Sequence, residues 1–480
     1  MRIFLIDWAL EYPELVGVAE ELQKAGHEIL YWVRISDFSN YIKANKGLFP
    51  KTVFHELTEE ADAAKPPAKV QTDSFEPVGE DIIHQLLEDE GVVLSLMERS
   101  YCRWSIHQKK QFYYDLLKYW RGVINLYKPE VIIFDTYPHS TYAYVIYILA
   151  RLFKIKTIFF GQTWIVNDLI LLYHSYKEEA PRLEKELNER KNILFDDLSP
   201  DLKKHYLSFN NNQDFSGLNE KMKRMLLEGR IKRKIKVLHR VIKRGQLISY
   251  FSELVRKSRD NLRKDYEKLQ IDFDPSVNYV YFPLHLQPEA SSCPLGGVFN
   301  NQLLALEILS AALPQNWVIY VKEHPHFWLN FGLGFDGYRF KGYYIRIAEL
   351  KNVKIIPVAL KSWEVIKQAK AVATLTGTAG WEALLRGKPV LTFGWPFYQN
   401  APGVFKVSDL PSCALAMEKI AQGFKPEQQE VINFLAALDR ASFQGYQSFV
   451  GKGVSKITPE ENKRNFLKAI LEELRWKEII

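Results

Sequence analysis

A chain of 480 residues, of which 47% are hydrophobic and 25% charged, is long enough for two or three globular domains. Its three cysteines, Cys102, Cys293 and Cys413, lie far apart without CxxC spacing, which argues against a disulfide framework or a zinc ribbon and favours a reducing cytosol. The N-terminus carries Asp7 and Glu11 where a secretory signal needs an apolar core, and no later apolar run reaches the roughly 18 residues of a spanning helix. We expect a cytoplasmic protein, either soluble or peripheral on the inner face of the cytoplasmic membrane.

The first 176 residues alternate strand and helix signals. "RIFLID" predicts a strand, 13–25 a helix and "HEILYWV" a second strand. After a long polar and helical region the pattern resumes with a strand at 129–135, a helix at 140–153 and a strand at 155–161. Tight strand–helix–strand connections imply right-handed parallel units, so 1–176 is predicted to be a Rossmann-like domain.

The segment 177–270 is charged and mostly helical, which indicates a connector or insertion. Within it, 221–244 contains eleven Lys or Arg and one acid, Glu228, and its apolar residues recur at helical spacing. One interpretation is an interfacial helix on anionic lipid, and the alternative is a helix whose apolar stripe packs on the protein while its charges are solvated. Nucleic acid is not expected as a partner, because the run lacks aromatic residues for base stacking.

The alternation of strand and helix patterns restarts in 271–425, which is predicted to be a second Rossmann-like domain. The remaining residues, 426–480, are predicted to form C-terminal helices. The predicted strands of the second domain lie at 278–284, 317–325 and 353–358 and on both sides of a helix within 371–394. Two such domains in sequence usually face each other across a cleft, with ligand groups at the carboxyl ends of the strands.

The stretch "TLTGTAGWEALL" follows one of these strands and begins a helix. Backbone N–H groups and the positive end of the helix dipole make such a start suited to an anion, and glycines let a phosphate approach the backbone. A purely structural tight turn is the alternative. The predicted binding residues are Thr376, Gly377, Thr378, Ala379 and Gly380, with Glu382 in reach of a ribose diol.

A second motif, "YVKEHPHF", places His324 and Pro325 directly after a strand. The histidine could donate a hydrogen bond to a phosphate oxygen and stabilise a departing nucleotide, and Lys322 could add charge. The alternative is a solvent-facing turn histidine. No zinc site is predicted, because His324 and His326 lack a persuasive third ligand.

The third motif, "FPLHLQPEASSCPLGG", is a strand that runs into a polar, proline-rich loop carrying His285. Such a loop could bind a nucleotide or acceptor hydroxyls, or could be a well-ordered turn. No GxSxG-like element is present, so serine hydrolase chemistry is not expected. The predicted binding residues are Gln287, Glu289, Ser291 and Ser292.

In the first domain, Asp135 closes a strand, and an acid there could act as a general base toward a sugar hydroxyl. Asp7, at the end of the first strand, is the rival candidate, and either could instead be a helix N-cap. The pair Asp272 and Asp274 lies before a strand in a charged linker, so it does not imply a metal.

In this order and spacing, "YFPLHLQPEASS", "YVKEHP" and "TGTAGWEALLRGKPVLTFG" resemble the C-terminal domain of bacterial capsular and surface polysaccharide biosynthesis glycosyltransferases, notably the capsule-linker Kdo transferases. The resemblance covers about 278–400. It implies a GT-B fold and a metal-independent transfer, without a cofactor, from a nucleotide sugar, with a CMP-activated one favoured, to a saccharide or lipid-linked acceptor. It also implies that His324 contacts the donor phosphate and that a base comes from the first domain, where Asp135 and Asp7 stay open.

Three other functions remain open at this stage. A CDP-polyol phosphotransferase of the teichoic-acid type shares a similar second domain with HP motifs. Sugar-nucleotide epimerisation uses a related two-domain fold, and a non-catalytic nucleotide-sugar-binding subunit of an assembly complex would need no base.

Overall fold

The computed structural model describes most of the chain, and its helices and strands fall into two compact units. The described residues are 1–9, 14–33, 46–56, 58–163, 169–189, 192–210, 262–287, 289–325, 327, 338–447 and 455–475. The first unit is formed by Met1–Leu202, Cys293–Val298 and Ile432–Ile480, and the second by Lys203–Ser292 and Phe299–Val431. The predicted basic helix at 221–244 lies outside the described residues.

Strands and helices alternate along both units. The strands are β1 (Arg2–Ile6), β2 (Glu28–Val33), β3 (Val53–His55), β4 (Val131–Phe134), β5 (Lys156–Gln162), β6 (Leu169–Tyr173), β7 (Tyr279–Pro283), β8 (Val318–Lys322), β9 (Val353–Ile355), β10 (Ala371–Thr374), β11 (Val390–Thr392), β12 (Val404–Lys406) and β13 (Phe443–Gln444). The helices are α1 (Glu14–Lys24), α2 (Thr58–Asp62), α3 (Glu80–Gln85), α4 (Leu87–Tyr101), α5 (Ile106–Tyr127), α6 (Thr141–Leu152), α7 (Pro181–Asn188), α8 (Pro200–Asn210), α9 (Leu262–Leu269), α10 (Gln302–Ala312), α11 (Tyr343–Glu349), α12 (Ser362–Gln368), α13 (Thr378–Leu385), α14 (Leu410–Ala421), α15 (Gln428–Ala441) and α16 (Pro459–Arg475).

The sheet of the first unit has the strand order β13-β6-β5-β4-β1-β2-β3. Strands β5, β4, β1, β2 and β3 are mutually parallel. At one edge, β6 pairs antiparallel with β5, and β13 pairs antiparallel with β6. Parallel strands with helices on both faces must be apolar on both sides, and Ile3, Phe4, Leu5 and Ile6 of β1 are all completely buried. The first strand therefore lies at the centre of a doubly wound domain.

The sheet of the second unit has the order β12-β11-β10-β7-β8-β9, and every neighbouring pair is parallel. Numbered within the unit, this is the 3-2-1-4-5-6 order of a doubly wound nucleotide-binding domain. The order reverses between β7 and β10, which pair side by side. The two Rossmann-like domains predicted for the GT-B class are confirmed.

The C-terminal helices pack with the first unit rather than with the second. Glu473 of α16 is completely buried, and its carboxylate lies 2.8 Å from both Lys156 Nζ of β5 and His174 Nε2 after β6. Residues Phe466 and Ile470 of the same helix belong to the core around β1. This helix thus packs on the core of the first unit.

Candidate functional site

The three sequence motifs of the second unit follow three neighbouring parallel strands. The loop from His285 follows β7, His324 follows β8, and the turn from Leu375 follows β10. Parallel strands present their carboxyl ends at the same edge of a sheet, so all three loops share that edge. The strand order reverses between β7 and β10, and ligands of doubly wound domains bind at this reversal.

His285 holds the turn after β10. Its Nε2 lies 2.9 Å from Thr374 Oγ1, 3.2 Å from the Leu375 amide nitrogen and 3.4 Å from the Thr376 amide nitrogen. An amide N–H only donates, so Nε2 must be an acceptor and the ring proton must be on Nδ1. Burial, together with the charges of His324 and Arg339, lowers the pKa of His285 to about 3, which keeps the ring neutral.

Two glycines of the turn are required by packing. A Cβ at Gly377 would lie 2.9 Å from Thr374 Oγ1, and a Cβ at Gly380 would lie 2.4 Å from the Tyr398 hydroxyl oxygen. The Gly377 amide donates to Thr374 Oγ1 at 3.1 Å, and the Tyr398 hydroxyl donates to the Gly377 carbonyl. These glycines face inward, so their own role is to let the turn pack closely on its neighbours.

The turn nevertheless leaves two outward donors at the start of α13. The amides of Leu375, Thr376, Gly377 and Gly380 are all used inside the protein. Within the described part of the chain, the amides of Thr378 and Ala379 make no hydrogen bond, as expected for the first turn of a helix. With the exposed Thr378 side chain they form the part of the predicted anion site that can meet a ligand.

The loop after β7 is hydrogen-bonded to the turn after β10. The Thr376 hydroxyl donates to the Ser291 carbonyl oxygen at 2.5 Å. Ser292 is completely buried, and both its amide and its hydroxyl donate to the Glu289 carbonyl oxygen at 2.9 Å. Glu289 itself is exposed, and the Ser291 hydroxyl lies 3.4 Å from its Oε2. Of the four predicted residues of this loop, Glu289 and Ser291 are the ones that solvent reaches.

A buried ion pair lies directly beneath His324. The Arg339 Nε donates to Glu323 Oε2 at 2.9 Å, and the Tyr344 hydroxyl donates to the same oxygen at 2.6 Å. The other carboxylate oxygen, Oε1, accepts the His324 amide at 2.7 Å. His324 is half-buried, and its backbone amide is held by the carboxylate of this ion pair.

Gln287 and Lys322 were predicted to bind ligand, and the structure places both in internal contacts. Gln287 Oε1 accepts hydrogen bonds from Arg339 Nη1 and Gln302 Nε2, each at 2.7 Å, and its Nε2 donates to the Asn300 carbonyl. Lys322 is buried, and its Nζ donates to the Leu360 carbonyl oxygen at 2.7 Å and to Ser362 Oγ at 2.9 Å. Both side chains support the loops of the site.

Glu382 lies in the second turn of α13 and is buried. Burial raises the pKa of the Tyr281 and Tyr398 hydroxyls, and the nearby Glu382 carboxylate raises both further. The Glu382 carboxylate therefore lies close to two phenolic groups. Tyr281 lies within β7, and Tyr398 follows β11. Its predicted contact with a ribose stays a prediction.

A second helix supports α13 within the same unit. The Trp381 indole Nε1 donates to His205 Nε2 of α8 at 3.0 Å, and Arg386 donates to the Phe209 carbonyl oxygen. An indole only donates, so His205 must be unprotonated at Nε2, and burial lowers its pKa to about 4. Hydrogen bonds to α8 thus help to fix α13, the helix that begins at the turn.

The two acids predicted as bases lie at the equivalent reversal of the first sheet. Asp7 follows β1 and Asp135 follows β4, and these strands are parallel neighbours. The Asp7 backbone has a left-handed φ of 57°, and its Oδ1 accepts a hydrogen bond from the Tyr142 hydroxyl. Asp135 is buried, and because α6 begins after Ser140, it is not the N-cap of that helix.

Several residues that support the site of the second unit were not predicted from the sequence. They are Glu323, Arg339, Gln302, His205 and, as the residue that hydrogen-bonds the turn after β10, His285. His285 and Glu323 stand inside the quoted motifs, so a signal existed for them. Arg339 and His205 lie outside every motif, and nothing in their sequence surroundings marks them. Among the described residues, no group of three or more His, Cys, Asp or Glu is placed to hold a metal ion.

Comparison with known proteins supports the motif-based resemblance. Residues 270–419 match the family model described as capsule polysaccharide biosynthesis protein, and this span contains all three motifs. The resemblance is confirmed over that part of the chain. No curated protein matches the chain.

The chain is also similar, at low identity, to several solved structures. KpsC from Thermosulfurimonas dismutans, a beta Kdo 2,7 transferase, is 13% identical with a TM-score of 0.32, covering 78% of this chain and 95% of that chain. A UDP-GlcNAc 2-epimerase from Methanocaldococcus jannaschii in complex with UDP-GlcNAc and UDP is 12% identical with a TM-score of 0.27, covering 98% and 100%. A glycosyltransferase from Rickettsia africae is 10% identical with a TM-score of 0.28, covering 99% of each chain.

Proposed function

We propose that this chain is a GT-B glycosyltransferase of capsular or surface polysaccharide biosynthesis. It transfers a sugar from a nucleotide sugar to a saccharide or lipid-linked acceptor. The observation that carries the proposal is the meeting of three motif loops at one sheet edge, at the reversal of strand order, within the span that matches the capsule polysaccharide biosynthesis family. A hydrogen bond from the Thr376 hydroxyl to the Ser291 carbonyl oxygen joins two of these loops.

The donor in this proposal is a CMP-activated sugar, with Kdo as the favoured sugar, because the motifs resemble those of capsule-linker Kdo transferases. Its phosphate binds at the start of α13, where the Thr378 and Ala379 amides and the helix dipole favour an anion. His324 adds a hydrogen bond to the phosphate. Neither contact needs a metal ion, so we propose a metal-independent reaction without a cofactor.

The chemistry is displacement at the anomeric carbon. The bond from that carbon to the phosphate oxygen breaks, a bond to the acceptor oxygen forms, and the nucleotide leaves with the electron pair. Charge that develops on the leaving phosphate is stabilised by His324 and the helix start. A base must take the proton of the acceptor hydroxyl, and Asp135 is the group we propose, with Asp7 as the rival.

We further propose that the enzyme works at the inner face of the cytoplasmic membrane, where lipid-linked acceptors are found. No helix among the described residues is long and apolar enough to cross a bilayer. The basic segment 221–244 is one candidate for attachment through anionic lipid, argued from its sequence alone.

The proposal is tested with the full chain, CMP-Kdo and a panel of Kdo-terminated and lipid-linked acceptors, followed by mass spectrometry. We expect CMP release that depends on acceptor and a product heavier by one Kdo residue. A gain of one glycerol phosphate from CDP-glycerol would show polyol phosphate transfer instead. Conversion of UDP-GlcNAc without any acceptor would show epimerisation, and tight nucleotide-sugar binding without turnover would show a non-catalytic subunit.

A further inference from the structure

The guanidinium of Arg99, in α4 of the first unit, is only partly hydrogen-bonded. Its Nη1 donates to the His139 carbonyl oxygen at 2.9 Å. Its Nε and Nη2 are shielded from water, and within the described part of the chain neither has a hydrogen-bond partner. No carboxylate among the described residues forms an ion pair with Arg99. Because a guanidinium is always charged in proteins, a positive charge is enclosed here without an ion-pair partner from the described chain.

The two nitrogens without partners form one edge of the guanidinium plane. The N–H groups of Nε and Nη2 point in the same direction, and such an edge binds both oxygens of a carboxylate or phosphate through two parallel hydrogen bonds. Buried N–H groups without acceptors cost free energy, and the cost is larger for a charged group. A single oxyanion on this edge of Arg99 would satisfy both.

The residue after His139 has a further donor without a partner. Ser140 occupies the N-cap position of α6, but its side chain caps no backbone amide. Its hydroxyl oxygen is buried and makes no hydrogen bond to any described residue. A hydroxyl can donate to an anion, so Ser140 adds a third donor beside the carbonyl group that Arg99 contacts.

The loop that Arg99 contacts is the one that follows β4. It begins with Asp135, the base proposed above, and ends at Ser140, before α6. The ring Nδ1 of His139 lies 2.7 Å from the Tyr137 carbonyl oxygen, and because a carbonyl only accepts, this nitrogen carries a proton and donates it. An anion bound by Arg99 therefore lies beside the loop that carries the proposed base.

We propose that Arg99 binds the carboxylate of an acidic acceptor saccharide, with Ser140 as an additional donor. A carboxylate has one negative charge and two oxygens in a plane, which match one guanidinium edge in charge and in shape. A phosphate monoester carries a charge of about −1.5 to −2 near neutral pH, so one guanidinium would leave part of it uncompensated. Both nitrogens of Arg99 are covered by protein atoms, so binding includes a local rearrangement of side chains. The identification of the ligand as an acceptor rests on the proposed function, whereas the anion site does not.

A matched pair of ligands tests the proposal without turnover. Calorimetry measures how the full chain, without a donor, binds a Kdo-terminated oligosaccharide and the methyl ester of the same compound, in which the carboxylate charge is removed. We expect the wild type to bind the acid about 10- to 100-fold more tightly than the ester, as for hydrogen bonds to a charged group. Arg99→Gln should bind both forms about equally, and Ser140→Ala should lose a smaller part of the preference. Inorganic phosphate at the same concentration should not displace the acid.

Two further variants make the result specific to this guanidinium edge. Arg263→Gln removes an exposed arginine of α9 and should keep the full preference for the acid. Arg99→Lys keeps the positive charge but removes the planar edge, so it should lose most of the preference even where Arg99→Gln fails to fold. In the transfer assay, Arg99→Lys should raise the acceptor KM and leave the donor KM and kcat nearly unchanged.

The proposal is overturned if the wild type binds neither form or binds both equally, if both Arg99 variants keep the preference, or if phosphate displaces the acid. Equal binding of acid and ester together with transfer from CMP-Kdo would remove this inference and leave the proposed function intact. A preference for the acid that depends on Arg99, without transfer from CMP-Kdo, would keep the anion site and remove its role in acceptor binding.

Discussion

The guanidinium of Arg339 and the carboxylate of Glu323 form an ion pair of 2.9 Å from which water is excluded, with the two side chains 1% and 0% exposed. Arg339 also donates to the His285 carbonyl oxygen at 3.0 Å and to Gln287. The pair thus joins the loop after β7 to the loop after β8. These loops carry His285 and His324, so the ion pair holds two of the three motifs in place.

Removal of one partner of this pair is predicted to be costly, because it leaves the other charge buried and unpaired. We expect Arg339→Met to lower the free energy of unfolding by about 3–5 kcal/mol, and Glu323→Leu to have a similar effect. The double variant should lose much less than the sum of the two. Urea unfolding measures all three. The control is Arg346→Met, which removes an exposed ion pair with Glu307, and its effect should be small. Additive losses would show that the two groups do not act as a pair.

Two neutral histidines of the second unit predict a loss of stability in acid. Folded His285 and His205 have pKa values near 3 and 4, whereas in the unfolded chain each takes a proton near its ordinary pKa of about 6.5. Protonation below pH 6.5 therefore favours the unfolded chain, by about 1.4 kcal/mol per pH unit for each histidine until its folded pKa is reached. Urea unfolding between pH 7.5 and 4.5 measures the slope. His205→Gln should reduce it, and substitution of the exposed His107 by Gln should not.

Substitution of Gly380 is predicted to be destabilising for a steric reason. A Cβ there would lie 2.4 Å from the Tyr398 hydroxyl oxygen and 3.0 Å from Thr374 Cγ2. We expect Gly380→Ala to cost about 1–3 kcal/mol of unfolding free energy, and the loss in the double variant with Tyr398→Phe to be smaller than the sum. Gly91→Ala is the control, because no atom lies within 4 Å of its Cβ position in α4. That change should be neutral or stabilising.

The sequence was most informative where periodicity and chain order act together. Apolar runs separated by helical patterns predicted the parallel strands, and the end of each strand predicted which loops share an edge. Antiparallel β6 was not predicted, although "LILLY" is an apolar run, because it breaks the alternation of strand and helix. The packing of α16 on the first unit depends on contacts such as that between Glu473 and Lys156. These residues are 317 positions apart, so no local sequence pattern predicts their contact.

The site was predictable in outline and not in its internal contacts. Charged residues are normally exposed, so Arg339 gave no indication that it lies buried beneath the site. His285 was noted in its loop, but a sequence does not show whether a ring nitrogen faces a ligand or a backbone amide. The same limit applies to Gln287 and Lys322, which make hydrogen bonds to other groups of the protein.

A pair of variants tests whether Asp135 or Asp7 acts as the general base. Asp135→Asn should lower turnover by about 100-fold or more while nucleotide binding is retained, because an amide cannot accept the acceptor's proton. Asp7→Asn should mainly weaken the contact with the Tyr142 hydroxyl and leave most of the activity. Acceptor-dependent CMP release measures turnover, and calorimetry measures binding. The reverse pattern would assign the base to Asp7, and full activity of both would leave the proposed base chemistry without support.

The central claim is that the second unit binds the nucleotide of a sugar donor through His324 and the start of α13. The most direct measurement is the thermal unfolding of the full chain with CMP, CDP, UDP and GDP, in the wild type, in His324→Ala and in the exposed control His107→Ala. The account predicts that CMP raises the melting temperature of the wild type and of the control, and that His324→Ala loses most of this rise without a change in its own melting temperature. Absence of a shift with any nucleotide, or an equal CMP shift in His324→Ala and the wild type, would contradict it.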